Sequence, residues 1–175
     1  MLRAFCNKSG HRVIAKKDLS VKTLVLGLGN PILSDDGVGI RVAEELEGKV
    51  NPQEVTVMEA GVAGLDLLNL LSGYDRAIII DAIQTVAGQA GDIYQLELGD
   101  LDFTRHAASP HDVNLATALE LGKRLGLPLP RQIVIFAIEV ADASTFSEKC
   151  TSEVRGAVPD CVEMIIRDLD GALAV

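Results

Sequence analysis

Short runs of apolar residues of strand length recur along this chain, and segments with helical spacing separate them. The runs occupy residues 23–28, 55–59, 77–81, 92–97 and 132–140. Helical patterns cover 37–48, 65–71, about 110–125 and a last segment that starts at Thr151 or Pro159 and reaches Leu173. This alternation predicts an α/β domain with a mostly parallel sheet covered by helices on both faces. The run 77–81 is apolar until its last residue and predicts a central strand, whereas 92–97 alternates and predicts an edge strand.

Charge is distributed unevenly between a short leader and the rest of the chain. The 175 residues carry 16 Lys and Arg and 25 Asp and Glu, a net charge of −9. Residues 1–22 contribute +5 and residues 23–175 contribute −14. We therefore expect a flexible basic extension over 1–21, without the apolar core of a secretory signal, and a single domain over 22–175. The acidic balance argues against a nucleic-acid partner.

The cysteines and the hydropathy pattern indicate a cytoplasmic protein. Cys6, Cys150 and Cys161 form no C-x-x-C pair, which argues against a disulfide framework and a structural zinc site. No apolar run reaches the ~20 residues of a membrane span, so we expect no membrane partner. Hydrolysis by a serine nucleophile is disfavoured because no G-x-S-x-G elbow occurs.

The loop after the first run of the domain resembles the start of a dinucleotide fingerprint but departs from it. Gly27 and Gly29 are in place, whereas Ile32 occupies the position of the third glycine. Asp35 and Asp36 follow, and two carboxylates would repel a pyrophosphate. The alternative is that both glycines serve a tight turn with close backbone packing.

Three residues that could carry chemistry follow strands or begin a helix at the same predicted edge of the sheet. One acid of the pair Asp35 and Asp36 is explained as a helix cap, which leaves the other as a candidate ligand or acid/base group. Asp81 ends a buried run, where a catalytic carboxylate and a turn-forming cap are both reasonable. His111 lies in the first turn of a helix predicted from Ser109, where the helix dipole favours the neutral ring of a metal ligand, although a lone histidine is commonly a surface residue.

Asp36, Asp81 and His111 together predict a divalent-metal site. Two carboxylates and an imidazole suit nickel, zinc or a similar ion, and three protein ligands leave positions open for water or substrate. His11 and His106 are interpreted as surface residues.

Several blocks of the sequence resemble the nickel–iron hydrogenase maturation proteases. Residues 27–39, GLGNPILSDDGVG, are similar to the opening signature of that family. Two further blocks match in order, Asp81-Ala82-Ile83 and Ser109-Pro110-His111, and the turn 61–64 is also similar. The resemblance covers residues 23–170 and leaves out only the basic leader.

The resemblance implies a three-layer α/β sandwich, with a mostly parallel five-stranded sheet, and an endopeptidase activity. Such proteins remove a C-terminal extension from the hydrogenase large-subunit precursor after nickel insertion. The metal-contacting positions of the family, an Asp or Glu, an Asp and a His, fall on Asp36, Asp81 and His111. The nickel belongs to the substrate and is held by the partner's cysteines; zinc or cadmium are further ions that the site would accept.

We therefore hypothesise an aspartyl-type peptidase that recognises nickel in its substrate and works as a monomer. Hydrolysis by nickel-polarised groups and hydrolysis with a carboxylate as general base both remain open. Gly61, Ala63 and Gly64 either shape the groove for the extended tail or form a plain turn. Asp35 is assigned a supporting role, as a cap of the helix from Val38. Two alternatives are a nickel-sensing chaperone or binding module that does not cut, and a small-molecule hydrolase on the same scaffold.

Overall fold

The computed structural model describes residues 2–6, 12–16, 21–61, 65–97 and 112–173, with side chains described over 21–61, 65–97 and 117–171. The elements in chain order are β1 (Leu2–Cys6), β2 (Arg12–Lys16), β3 (Thr23–Leu28), a 3₁₀ turn (Ser34–Gly37), α1 (Val38–Leu46), β4 (Val55–Ala60), α2 (Asp66–Leu71), β5 (Arg76–Ile83), β6 (Ile93–Glu97), α3 (Asp112–Arg124), β7 (Gln132–Glu139) and α4 (Ser152–Leu173).

A five-stranded sheet in the order β4-β3-β5-β7-β6 forms the centre of the domain. The first four strands are parallel, and β6 pairs with β7 in the antiparallel direction. Every residue of β5 is buried, as the apolar run predicts for a central strand, and the half-exposed β6 lies at an edge. The predicted α/β fold with a mostly parallel sheet is confirmed.

Helices cover both faces of this sheet. Alternate residues of β5 divide between two apolar cores, with Ile78 and Ile80 packed beside α1 and α4 and with Ala77 and Ile79 packed beside α2 and α3. Because side chains alternate across a strand, this division shows which face each residue of β5 occupies. Aliphatic side chains dominate both cores.

The helix starts agree with the predicted ones, whereas the leader differs from its prediction. The first helix begins at Val38, after the 3₁₀ turn and one residue after the predicted start. Helix α4 begins at Ser152, next to the predicted start at Thr151, and the alternative start, Pro159, lies inside it. In the basic extension, β1 and β2 form an antiparallel pair that the sequence analysis does not predict. The flexibility of residues 1–21 and the domain boundary at residue 22 stay predictions. No helix of the described residues is long and apolar enough to cross a membrane.

Candidate active site

The strand order makes a topological switch point between β3 and β5 at the carboxyl end of the sheet. The chain leaves β3 toward β4, on one side of this pair, and leaves β5 toward β6, on the other side. In open α/β sheets ligands bind in the crevice beyond the strand ends at such a point, and we call this switch point the crevice.

Two glycines bring α1 and the 3₁₀ turn directly onto the strand ends. A Cβ on Gly39 would lie 2.3 Å from the carbonyl oxygen of Leu28 and 2.4 Å from that of Ile80. Gly29 has a φ of +136°, and a Cβ there would lie 1.9 Å from the carbonyl oxygen of Asp36. A Cβ on Gly27, the first glycine of the G-x-G pattern, would lie 2.3 Å from the carbonyl oxygen of Gly39. Gly27 and Gly29 therefore serve close backbone packing, as the alternative to a nucleotide site predicts.

Asp36 occupies the 3₁₀ turn and is almost fully buried, with 4% of its surface exposed. Its Oδ2 accepts a hydrogen bond from the backbone N–H of Asn30 at 2.8 Å. Within the described residues Oδ1 accepts no hydrogen bond, so one carboxylate oxygen is held by the backbone and the other is available to a ligand. The turn also contains a strained residue, Ser34, with a φ of +48°, and such strain commonly accompanies functional sites.

Asp35, the neighbour of Asp36, has a different role from the helix cap that we predict from the sequence. The N-cap of α1 is Gly37, and no side chain caps the helix. Asp35 is fully buried and accepts hydrogen bonds from the N–H groups of Ala141 at 3.2 Å, Asp142 at 3.1 Å and Thr151 at 2.6 Å, and from the Thr151 hydroxyl at 3.1 Å. The capping prediction for Asp35 is therefore wrong: Asp35 ties the 3₁₀ turn to the segment that leads from β7 into α4.

Asp81 belongs to β5 and lies on the sheet face that α2 and α3 cover. Its neighbours on that face, Ile79 and Ile83, belong to the second core. Its side chain is 2% exposed, and Oδ1 accepts a hydrogen bond from the N–H of Ala82 at 2.9 Å. The 3₁₀ turn, which carries Asp36, packs against β5, which carries Asp81.

His111 and the helix start at Ser109 lie outside the described residues. The described part of α3 begins at Asp112, and α3 contributes Ala118 and Leu119 to the core on the face of Asp81. The described residues contain no histidine and no group of three His, Cys, Asp or Glu side chains placed to hold a metal ion. The metal-ligating trio of Asp36, Asp81 and His111 stays a prediction.

Glu139 is a buried acid at this edge that the sequence analysis does not identify. It ends β7, lies on the same sheet face as Asp81 and is 3% exposed. Its carboxylate accepts hydrogen bonds from the Thr85 N–H at 2.6 Å and the Thr85 hydroxyl at 3.0 Å. Burial raises the pKa of the nearby Tyr94, and the Glu139 charge adds to that rise, whereas a hydrogen bond with Thr85 lowers it. An acid directly after an apolar run is the signal that identifies Asp81, and the same signal identifies Glu139.

A charged groove of about 660 Å³ lies between α1 and α4, beside the loop before α4. Its wall includes Arg41, Glu44, Lys149, Cys150 and Arg155, and neither Asp36 nor Asp81 lines it. Burial and the charge of Asp35 raise the pKa of Cys150, so this thiol stays protonated and is a poor nucleophile.

The chain is similar to known proteins of one kind. Residues 40–168 match the family model described as hydrogenase maturation protease, a range that includes Asp81 and His111 and begins after Asp36. The hydrogenase 2 maturation protease of Escherichia coli K12 is 31% identical over 121 residues, which is 67% of this chain and 73% of that protein.

Two solved structures resemble the fold over most of the chain. The hydrogenase maturating endopeptidase HybD from E. coli has a TM-score of 0.75 at 26% identity, over 86% of this chain and 93% of that chain. The hydrogenase 2 maturation peptidase of a Thaumarchaeota archaeon has a TM-score of 0.61 at 26% identity, over 85% of this chain and 97% of that chain.

Proposed function

The chain belongs to the hydrogenase maturation protease family, a family of peptidases, and from this premise we propose that it removes a C-terminal extension from the large-subunit precursor of a nickel–iron hydrogenase. Cleavage follows nickel insertion, and the nickel bound in the substrate is the recognition element. The protein acts as a monomer in the cytoplasm.

One observation carries the proposal: two buried carboxylates occupy the crevice between β3 and β5. Asp36 and Asp81 are 4% and 2% exposed. Burial of a carboxylate is costly in general, and coordination of a divalent ion in the substrate would offset that cost. Carboxylate oxygens with an imidazole from His111 suit nickel, and zinc or cadmium would compete for the same groups.

The residues of the crevice then have defined tasks. Asp36, held through Oδ2 by Asn30, directs Oδ1 toward the nickel of the substrate, and Asp81 binds from the neighbouring strand. This attachment places the scissile peptide bond beside the two carboxylates. Two routes to hydrolysis are open from there. The nickel of the substrate would supply Lewis-acid polarisation of the carbonyl or of the attacking water, or a carboxylate of Asp36 or Asp81 removes the proton of the water as general base.

A processing assay with single substitutions tests the function. Purified full-length protein is incubated with nickel-loaded and with nickel-free precursor, and the mass of the large subunit is measured. We expect a shortened product from the nickel-loaded form alone, and a loss of at least about 100-fold in rate for Asp36→Asn, Asp81→Asn and His111→Ala, since removing one catalytic group typically costs 10²–10⁴-fold.

Two matched variants control for the change of residue. Asp170→Asn removes an exposed carboxylate at the far end of α4, and His106→Ala removes a histidine that we interpret as a surface residue; both should process at the wild-type rate. An intact precursor after incubation with wild-type protein would refute cleavage. Nickel-dependent binding without cleavage would instead support the chaperone alternative.

A further inference from the structure

We propose that Ile32 and Phe146 form an apolar anchor that binds the folded body of the hydrogenase large-subunit precursor beside the crevice. This inference rests on the proposed function and adds to it the surface that receives the substrate. The anchor consists of these two side chains only.

Backbone pairing places Ile32 and Phe146 at neighbouring positions on two adjacent segments. The N–H of Ser147 donates to the carbonyl of Ile32 at 3.0 Å, and the N–H of Ser34 donates to the carbonyl of Ser147 at 2.8 Å. These bonds form a parallel bridge between Leu33 and Ser147. The backbones of these segments are paired, but the two apolar residues remain open to solvent: Ile32 is 49% exposed and Phe146 is 81% exposed.

The loop that presents Phe146 is ordered by its own hydrogen bonds. Asp142 accepts hydrogen bonds from the N–H of Ser144 at 3.1 Å and from the N–H of Thr145 at 3.0 Å. A hydrogen bond from the Thr145 side chain, together with these two backbone bonds, lowers the pKa of Asp142. Asp35 holds the start of the same loop. A loop backbone that is already ordered loses less freedom when its exposed aromatic side chain binds a partner, which favours Phe146 as an interface anchor.

The position of the anchor identifies its occupant. Ile32 precedes Asp36 by four residues on one continuous segment, and the bridge to that segment brings Phe146 to the same place. The anchor and the proposed site therefore share one short segment, so a substrate that reaches Asp36 is expected to contact the anchor. A second copy of this chain seated on the anchor would compete with that substrate for the same segment.

The nature of the contact also fits a protein substrate. Residues 23–175 have a net charge of −14, so the domain as a whole repels other acidic proteins. An apolar contact supplies affinity that salt does not screen and that does not depend on the sign of the precursor's charge.

Steady-state kinetics on nickel-loaded precursor test the anchor. We expect Phe146→Ser and Ile32→Ser to raise KM about tenfold while kcat changes less than about twofold, since truncating an interface anchor typically costs more than a factor of about five in affinity. Phe146→Leu, which keeps an apolar side chain, should recover most of the loss. The control is Leu125→Ser, which removes a 66% exposed leucine just beyond the far end of α3.

Three results would overturn the proposal. The first is a KM of Phe146→Ser equal to that of the Leu125→Ser control. The second is a KM difference that disappears at high salt, which would indicate an electrostatic contact. The third is a change in self-association, measured by analytical ultracentrifugation, in place of a change in KM. If wild-type protein leaves the precursor intact, the proposed cleavage is wrong. The anchor is then tested separately by measuring the dissociation constants of the same variants for the precursor.

Discussion

The adjacent acids Asp35 and Asp36 are expected to separate stability from activity when each is replaced. Asp35→Ala removes four hydrogen bonds to a buried carboxylate, three from N–H groups and one from the Thr151 hydroxyl. At about 1.5–3 kcal/mol for each bond to a charged group, their sum has an upper limit of about 6–12 kcal/mol. Ala141 is exposed and Asp142 and Thr151 are half-buried, so in the variant water can replace many of the lost hydrogen bonds. We therefore expect the free energy of unfolding to fall by about 3–4 kcal/mol.

Equilibrium unfolding in urea measures this change directly. For a domain of this size the expected loss corresponds to a fall of about 10 °C in Tm. Asp36→Ala is the matched control, because it removes an equally buried acid that accepts a single hydrogen bond from Asn30; it should lose only about 1–2 kcal/mol while processing is abolished. The reasoning is refuted if the free energy of unfolding falls no further for Asp35→Ala than for Asp36→Ala.

Three further changes test the packing of the domain. Gly39→Ala should lower the free energy of unfolding by at least about 2 kcal/mol, because the new Cβ meets two strand carbonyls. Gly156→Ala, in open space within α4, should raise it by about 0.5–1 kcal/mol, and urea unfolding measures both changes. Asp168→Ala should cost about 3–5 kcal/mol in the same assay, because Arg76, which is 4% exposed on its side chain, loses its ion-pair partner; a neutral effect would contradict this. Burial raises the pKa of Cys161 to about 12, so iodoacetamide at about pH 8 should label its peptide only after denaturation.

Local patterns predict the sheet well because the signals lie within single elements. Residues 23–28 are predicted and observed as a strand, since a continuous β-forming run needs no distant partner to be recognised. The central place of β5 follows in the same way from a run that is apolar on both faces. Asp36 and Asp81 could be selected because parallel strands end at one edge of the sheet, a rule that holds before any contact is known.

The features that sequence analysis misses depend on distant contacts. The partners of Asp35 lie 106 to 116 residues further along the chain, so a local reading assigns it to the nearest helix. Pro159 is a second example. Its local tendency to break a helix suggests a helix boundary, but the packing of Val158, Cys161 and Val162 in the core outweighs that tendency.

The tie between Asp35 and the segment before α4 has a consequence for the order of events during synthesis. A ribosome that has reached the start of α3 has already made Asp36, Asp81 and His111, and it has yet to make Ala141, Asp142 and Thr151. Until those residues emerge, the 3₁₀ turn lacks the partners that hold it against the sheet. A nascent or truncated chain therefore contains Asp36, Asp81 and His111 but lacks the contacts that hold the 3₁₀ turn in place. We expect the peptidase to become active only when its last third has folded.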